Sequence, residues 1–201
     1  MEDKVELKRI VMEVFGGCNY TCQMCPQTNP GRGKSFTRKM PISEFERILD
    51  QIVPKYGMPQ INLEGSGEPT MAKDLPKYIE AVKKRNLKCF MYCNGARLNG
   101  QFMKDVVNAG IDFIRFSVIG YNRELYKKWM NIDNFNLILS NLTEIQSYVK
   151  STSAKTQIST YHLITDNSKI NQEIESYKKN VINVVESIAY IWKMHNWSGN
   201  H

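Results

Sequence analysis

The sequence predicts an α/β fold, a partial (β/α)6 TIM-like barrel with parallel strands. Short runs rich in β-branched and aromatic residues alternate with longer runs whose apolar positions repeat every three or four residues. Gly, Pro and Asn separate these runs, and no low-complexity linker divides the 201 residues. Right-handed crossovers would wind six such units into part of a barrel. We expect one domain, residues 1–201, that ends at the sixth strand.

Six runs are predicted as strands. The first, KRIVMEVF, precedes a loop with three cysteines, and the second, INLEG, precedes the turn GSGEP. The third, KCFMYCN, ends at Asn94, and the fourth, IDFIRFSVI, carries Ser117 near its end. The fifth and sixth are predicted near 156–164 and 187–195. Because loops at the carboxyl ends of parallel strands form the site in such folds, these motifs should meet at one rim.

Five helices are predicted between the strands. Ser43 and Glu46 fit the capping box S-x-x-E, so the first helix should begin near Ser43. Asp74 is expected to cap the second helix, and Gly110 to end the third. The fourth is predicted over about 132–149, and a short fifth helix carries apolar residues at helical spacing between 170 and 177.

Composition restricts the classes of function. No apolar run approaches the roughly 18 residues of a membrane span, and the charged N-terminus lacks the apolar core of a signal peptide. We therefore expect no membrane association and a reducing, cytoplasmic location. The net charge of +7 comes from small clusters beside helical patterns. This favours solvated helix faces over a nucleic-acid surface, with RNA binding kept as an alternative.

Three cysteines, Cys18, Cys22 and Cys25, share the loop GGCNYTCQMCP. Three thiolates at this spacing can hold three irons of a [4Fe–4S] cluster, and the fourth iron then keeps an open position, as catalytic metal sites do. A structural zinc site would need a fourth ligand, and the nearest histidine is His162. Five cysteines do not fit a disulfide framework, and a CxxC redox pair would leave Cys18 unexplained.

The cysteine spacing and its place after the first strand resemble the radical S-adenosylmethionine (radical SAM) superfamily. In that family the residue before the third cysteine is often aromatic, whereas here it is Met24, a polarizable side chain that can also pack against adenine. GSGEP is similar to the family motif that binds the amino group of S-adenosylmethionine, with Ser66 where a glycine is common. This GxGEP form resembles the branch that carries a C-terminal SPASM extension.

The resemblance implies roles for five further residues. Gly67 would let the backbone approach the ligand, Glu68 would accept hydrogen bonds from its ammonium group, and Pro69 would fix the turn. Asn94 and Ser117 lie where the family contacts the ribose and methionine parts. A tight turn accounts equally well for Asn94, and a polar strand end for Ser117.

Other polar residues have simpler expectations. Arg115 on the inner face of the fourth strand should bind an anion or pair with Glu13 or Glu64, because an unpartnered buried charge is costly. His162 and His195 are expected to be structural histidines, with substrate contact as the alternative. Cys89 and Cys93 of the third strand are expected to fill the core as small residues.

The resemblance implies an enzyme that reductively cleaves S-adenosylmethionine at a [4Fe–4S] cluster. The resulting 5′-deoxyadenosyl radical takes a hydrogen atom from a substrate, and a flavodoxin or ferredoxin supplies the electron. The motifs identify neither the substrate, which can be a peptide, a sugar or another small molecule, nor the catalytic residues. A non-catalytic iron–sulfur or zinc module and an RNA-modifying radical SAM enzyme are the alternatives.

The predicted sixth strand is followed by only a few residues. No cysteine follows Cys93, so an auxiliary cluster of the SPASM kind is not expected. Aromatic residues, among them Tyr190, Trp192 and Trp197, crowd this end of the chain. We expect that a second copy, a partner or a C-terminal segment covers them, unless they fold back over the edge.

Overall fold

Six parallel strands form one sheet in the computed structural model, which describes residues 5–26 and 38–194. The predicted class is confirmed, because each strand pairs with the next in the order β1 to β6 and helices connect them. Within the described residues the sheet is open, with β1 and β6 at its edges. Expectations for His195 and Trp197 lie outside these residues. The strands are β1 Arg9–Val11, β2 Gln60–Asn62, β3 Cys89–Cys93, β4 Phe113–Ser117, β5 Gln157–Ile164 and β6 Ile188–Lys193.

The first strand is shorter than the sequence predicts. Pairing of β1 with β2 ends at Val11. Beyond it the chain turns to an antiparallel partner, since Met40 N–H donates to the carbonyl of Val14 (3.0 Å) and Phe15 bridges Lys39. The apolar run KRIVMEVF therefore serves two neighbours. Its second half places the cysteine loop rather than extending the sheet.

Seven helices lie in the described part of the chain, against five predicted. The additional long one, α4, precedes the predicted fourth helix, and Asn122 caps it by accepting a hydrogen bond from Leu125 N–H (2.8 Å). The prediction missed α4 because the helix is short and half of its eight residues, RELYKKWM, are charged. The helices are α1 Ile42–Tyr56, α2 Leu75–Lys83, α3 Gly100–Asn108, α4 Arg123–Met130, α5 Phe135–Thr152, α6 Ile170–Tyr177 and, after a π-helical turn at Lys178–Ile182, α7 Asn183–Val185.

Two predicted helix caps are wrong. Ser43 lies inside α1, because Pro41 occupies the N-cap position in an extended conformation and brings the helix start forward to Ile42. Asp74 does occupy the N-cap position of α2, but among the described residues its carboxylate binds Lys39 Nζ (2.7 Å) and caps no helix N–H. The predicted end of the third helix is close, since α3 ends two residues before Gly110.

The two faces of the sheet differ in chemistry. On β4, Ile114 and Phe116 are fully buried in the core shared with the helices, whereas Arg115 and its alternate neighbours are half-buried on the opposite, concave face. Cys89 and Cys93 of β3 are buried in the same helix-facing core, as expected for small core residues. The concave face is thus the polar one, and its carboxyl-terminal rim carries the predicted motifs.

The last strand exposes apolar side chains. Tyr190 and Trp192 are about two-fifths exposed, and Ile188 is 67% exposed. An apolar strip of this kind is what the sequence led us to expect at this edge. Across the ranges described, we find no helix with both the length and the apolar character needed to cross a bilayer.

A buried polar pair joins β5 to α6. His162 is fully buried, and its Nδ1 accepts a hydrogen bond from Gly120 N–H (3.1 Å). Nε2 therefore carries the proton and donates it to Glu173 Oε1 (2.9 Å). The amide and hydroxyl of Thr165 also donate to Glu173. Both ring nitrogens of His162 are satisfied, which is the structural role expected from the sequence.

We expect Glu173→Gln to lower the free energy of unfolding at neutral pH by about 2 kcal/mol, since hydrogen bonds to a charged acceptor are lost. Burial raises the pKa of Glu173, but the hydrogen bonds from His162 and Thr165 outweigh it and hold that pKa below the ordinary value of 4.5. A group with a depressed folded pKa stabilises above its unfolded pKa and loses that stabilisation as pH falls through the folded value.

The difference between wild type and Glu173→Gln should therefore shrink below pH 4.5. Urea denaturation across a pH series measures it, with Glu175→Gln as control because Glu175 is exposed on the same helix. A gap that stays constant down to pH 3 would show that ionisation of Glu173 is not the cause.

Candidate active site

The three loop cysteines face a common space. Cys18 is exposed at the rim, whereas Cys22 and Cys25 are partly buried. Surrounding protein atoms and the nearby Glu68 and Cys25 raise the pKa of the Cys18 thiol to about 11. Burial, together with the other two cysteines, raises that of Cys22 to about 12. The thiols are thus close enough to disfavour one another's ionisation, and a bound cation would be needed to hold all three as thiolates.

The donor set fits a cube cluster. In the described ranges, no three His, Cys, Asp or Glu side chains gather as ligands of a single ion would. A [4Fe–4S] cube takes each thiolate on a different iron, so its ligands stand farther apart than those of one zinc ion. Two N–H donors, Tyr20 N (3.4 Å) and Asn94 Nδ2 (3.9 Å), approach the sulfur of Cys18. Such contacts stabilise a thiolate ligand.

Helix α4 holds the outer side of the cysteine loop. Gln23 N–H donates to the carbonyl of Trp129 (2.9 Å), and the sulfur atoms of Cys22 and Met130 are 3.9 Å apart. These contacts come from the last turn of a helix that the sequence analysis did not predict. In RELYKKWM the apolar pair Leu125–Tyr126 is followed four residues later by Trp129–Met130, a spacing that places both pairs on one helix face. This spacing was the available indication of the helix.

A second set of contacts anchors the loop through Tyr20. Its hydroxyl is within hydrogen-bond distance of Tyr126 Oη (3.3 Å) and of Asn134 Nδ2 (2.9 Å). Asn131, in the left-handed conformation at the end of α4, donates to Thr21 Oγ1 (2.9 Å). The segment 126–134 therefore holds the cysteine loop in position through these hydrogen bonds.

The turn GSGEP packs directly against the residues before the cysteines. Glu68 N–H donates to the carbonyl of Gly17 (2.8 Å). A Cβ on Gly67 would collide with the Phe15 carbonyl oxygen and lie 2.8 Å from its carbon, so only glycine fits there. Glu13 accepts hydrogen bonds from the amides of Ser66 and Gly67 (2.9 Å for Gly67). The sequence analysis missed this role for Glu13.

Glu68 is buried, and the protein's own donors use both of its oxygens. Oε1 accepts from the amide (3.1 Å) and hydroxyl (2.6 Å) of Thr70, and Oε2 accepts from Asn94 N–H (2.7 Å). Burial raises the pKa of Glu68, and these donors counteract that rise. Oε2 accepts only one of these bonds and can accept a further hydrogen bond, whereas Oε1 already accepts two. Pro69, also buried, opens the 3-10 turn that places Thr70.

Asn94 joins the end of β3 to the cysteine loop. Its Nδ2 donates to Asn19 Oδ1 (2.8 Å) and points toward Cys18, while its Oδ1 accepts from Ala96 N–H (3.0 Å). One side of the amide thus forms the turn that was expected as the alternative, and the other side faces the cysteine loop.

Ser117 and Met24 lie at the periphery. Ser117 pairs in register with Tyr161, and burial raises the pKa of Tyr161 to about 12 while a hydrogen bond with Ser117 lowers it. Tyr161 is near enough to Cys22 and Cys25 for their charges to raise its pKa too. Met24 is partly buried and packs on the edge of the core. The structure therefore brings the cysteines, GSGEP, Asn94 and Ser117 to one rim.

A parallel partial barrel with a cysteine loop and a glycine turn at its carboxyl rim defines the class of protein. The family described as the Radical SAM superfamily matches residues 12–178, and the chain belongs to it. It is a family of enzymes whose cofactors are a [4Fe–4S] cluster and S-adenosylmethionine, and which need an electron donor.

Individual relatives are more distant. A probable GTP 3′,8-cyclase of Thermococcus kodakarensis is 28% identical over 134 residues, which are 66% of this chain and 41% of that protein. Streptococcus suis SuiB bound to its precursor peptide SuiA has a TM-score of 0.71 at 17% identity, with 96% of this chain and 41% of SuiB covered. SuiB bound to S-adenosylmethionine gives 0.65 at 15%, with 96% and 42% covered. The chain spans less than half the length of these relatives.

We expect Gly67→Ala to lower the free energy of unfolding by about 3 kcal/mol, because the added methyl meets backbone atoms that cannot move aside. Gly100→Ala is the matched control. Gly100 has a positive φ of 52° but open space around its Cα, so only about 1 kcal/mol should be lost there. Urea denaturation followed by circular dichroism measures both values. Equal losses would mean that the close approach of the turn to Phe15 is not tight in solution.

Proposed function

We propose that this chain is the core of an enzyme that reductively cleaves S-adenosylmethionine and abstracts a hydrogen atom from a substrate. Cys18, Cys22 and Cys25 would hold the [4Fe–4S] cluster, and the GSGEP turn with Glu68 would hold the amino group of S-adenosylmethionine. When bound, these cofactors supply an electron and a carbon radical. The chain's own residues position them and exclude water.

One observation carries the proposal: a continuous hydrogen-bonded path joins the three motifs. It runs from the carbonyl of Gly17 through Glu68 to the amide of Asn94, and from the Asn94 side chain to Asn19 and Cys18. Motifs far apart in sequence are thus held within a few bonds of one another. A turn or a cysteine loop with an unrelated purpose would not require this arrangement.

Glu68 would bind an ammonium group without moving. Its oxygens are fixed by Thr70 and Asn94, so the carboxylate is preorganised, and a cation beside it would offset the cost of burying its charge. Met24, Ser66, Pro69 and Ser117 would complete the surroundings of the cofactor. Aromatic rings on the concave face, among them Tyr92 and Tyr161 with centroids 5.5 Å apart, would form part of the wall below the cofactors.

The partners follow from the same proposal. The electron would come from a flavodoxin or ferredoxin, and a cytoplasmic, reducing location suits thiolate ligands. The descriptions of the named relatives mention different molecules: GTP is in the name of one, and another is bound to a precursor peptide. Because their identity to this chain is low, neither substrate is assigned to it.

The described residues give no support to the two alternatives, a zinc module and an enzyme that acts on RNA. A zinc module would gather its ligands around one ion, which the described residues do not do. The largest of the small basic clusters lies at 83–88. Lys83 and Lys88 both pair with Asp112 (2.5 and 3.0 Å), and Arg85 pairs with Asp50 (2.7 Å). Three of the four basic residues of this cluster thus have an acidic partner within the protein, although two of them share Asp112.

Anaerobic reconstitution tests the cluster. We expect about four irons and four sulfides per chain, and formation of 5′-deoxyadenosine after chemical reduction with S-adenosylmethionine present. Cluster assembly and 5′-deoxyadenosine formation should both be lost in each of three variants, Cys18→Ala, Cys22→Ala and Cys25→Ala. Cys89 is a core cysteine, so Cys89→Ala should keep both properties. A protein that binds zinc but takes up no iron would contradict the proposal.

The role of Glu68 is tested by S-adenosylmethionine binding to the reconstituted protein. Glu68→Gln should weaken binding by about tenfold or more, because a charge-assisted hydrogen bond contributes about 1.5–3 kcal/mol. Glu64→Gln is the control, since Glu64 is also a carboxylate at the end of β2 but binds Asn62 and Tyr92. Equal affinities of the two variants for S-adenosylmethionine would show that Glu68 has only a structural role.

A further inference from the structure

Arg115 lies at the middle of β4 on the concave face of the sheet, between Tyr92 of β3 and Ser159 of β5. Its Nη1 donates to the hydroxyl of Tyr92 (2.7 Å), and its Nε donates to Ser159 Oγ (3.1 Å). These two bonds fix the orientation of the guanidinium group. They satisfy only part of its five N–H donors.

Aromatic rings enclose the same guanidinium. Its Cζ is 3.6 Å from the ring centroid of Tyr190 and between 5.1 and 5.7 Å from those of Phe90, Tyr92 and Trp192. Cation–π attraction offsets part of the cost of removing the charge from water. The rings hold the group flat, but a ring face accepts no strong hydrogen bond, so the remaining N–H donors stay available.

The expected carboxylate partners are bound elsewhere. Glu13 accepts from the amides of the GSGEP turn, and Glu64 accepts from Asn62 Nδ2 (2.6 Å) and Tyr92 N–H (3.3 Å). Within residues 5–26 and 38–194, Arg115 forms no ion pair, and its Nη2 has no acceptor. The expectation that Arg115 pairs with Glu13 or Glu64 is therefore wrong. The guanidinium therefore has no acidic counter-ion among these residues.

A cavity of about 280 Å³ adjoins Arg115 at the amino-terminal ends of the strands. Arg9 lines it as well, together with the side-chain amides of Gln60 and Asn62, and its described lining contains no Asp or Glu. Glu64 lies beside the cavity, bonded to Asn62 and near enough to Arg9 for their charges to interact, so the positive charge without an acidic partner is that of Arg115. This is the chemistry that recognises an oxyanion, because the planar guanidinium matches carboxylate and phosphate oxygens.

We propose that Arg115 and this cavity form a binding subsite for the oxyanion group, carboxylate or phosphate, of the substrate. Arg115 lies two residues before Ser117, which is about 7 Å along a strand. An acidic group at Arg115 would thus be that far below the rim where the cofactors are proposed. The substrate class is then a small anionic molecule whose acidic group extends into the barrel from its reacting carbon. The statement about the reacting carbon rests on the proposed function, whereas the anion site itself does not.

Calorimetric titration with sodium phosphate and with sodium acetate, against sodium chloride at equal ionic strength, tests the subsite. The full chain is used without reductant. Wild type and Arg47→Gln, a control on the exposed surface of α1, should bind one of the two anions equally well. Arg115→Gln should bind it about tenfold more weakly, and Arg115→Lys should fall between. The anion that binds identifies the source as phosphate or carboxylate.

Circular dichroism and urea denaturation show whether each variant folds. If Arg115→Gln does not fold, anion binding by Arg115→Lys and by Tyr190→Leu tests the subsite instead. Tyr190→Leu keeps the charge of Arg115 but loses the stacked ring, so it should bind the anion several-fold more weakly. Absence of anion binding by wild type, or equal binding by the Arg115 variants, would overturn the subsite. Lost cleavage of S-adenosylmethionine with anion binding retained would instead contradict the proposed function alone.

Discussion

The close contact between two stretches of backbone, 15–17 and 66–68, determines the rest of the site. Gly67 lies against the carbonyl of Phe15, and Glu68 N–H binds the carbonyl of Gly17. Because a backbone contact has few degrees of freedom, it fixes the start of the cysteine loop relative to the end of β2 more tightly than side chains alone would. The amides of the turn then need an acceptor, and Glu13 supplies it.

The buried carboxylate of Glu68 extends this constraint to the next strand. A carboxylate at this depth is costly unless it is hydrogen-bonded, and Thr70 and Asn94 provide the donors. The same bonds hold the end of β3 against the turn, so Asn94 can reach Cys18. Stabilising the charge and positioning the site are thus done by the same contacts. Helix α4 performs the corresponding task on the other side of the loop, through Trp129 and Met130.

The sheet, its parallel order and the rim were predictable because they depend on local periodicity and on motif residues that end strands. The start of α1, the Lys39–Asp74 pair and the two neighbours of the first strand were not, because each depends on a partner distant in sequence. The role of Glu13 was hidden for the same reason, since its amide partners come 53 and 54 residues later. Helix α4 was missed for a different reason. Eight residues, half of them charged, give a weak periodic pattern, even though the face that they bury holds the cysteine loop.

Whether the described residues satisfy a polar side chain distinguishes the structural role of His162 from the functional role proposed for Arg115. Both are side chains on the inner strands that the sequence presented as polar and partly buried. His162 has an acceptor for its proton and a donor for its free nitrogen, so the protein itself accounts for it completely. Arg115 has hydroxyls and rings but no carboxylate from the described residues, and it borders a cavity with a second arginine. Because Arg115 has no acidic partner among these residues, the proposed anionic ligand would supply the counter-charge. The polarity of the concave face then has one explanation at its rim, where the cofactors are proposed, and another at its base, where an anionic substrate would be held.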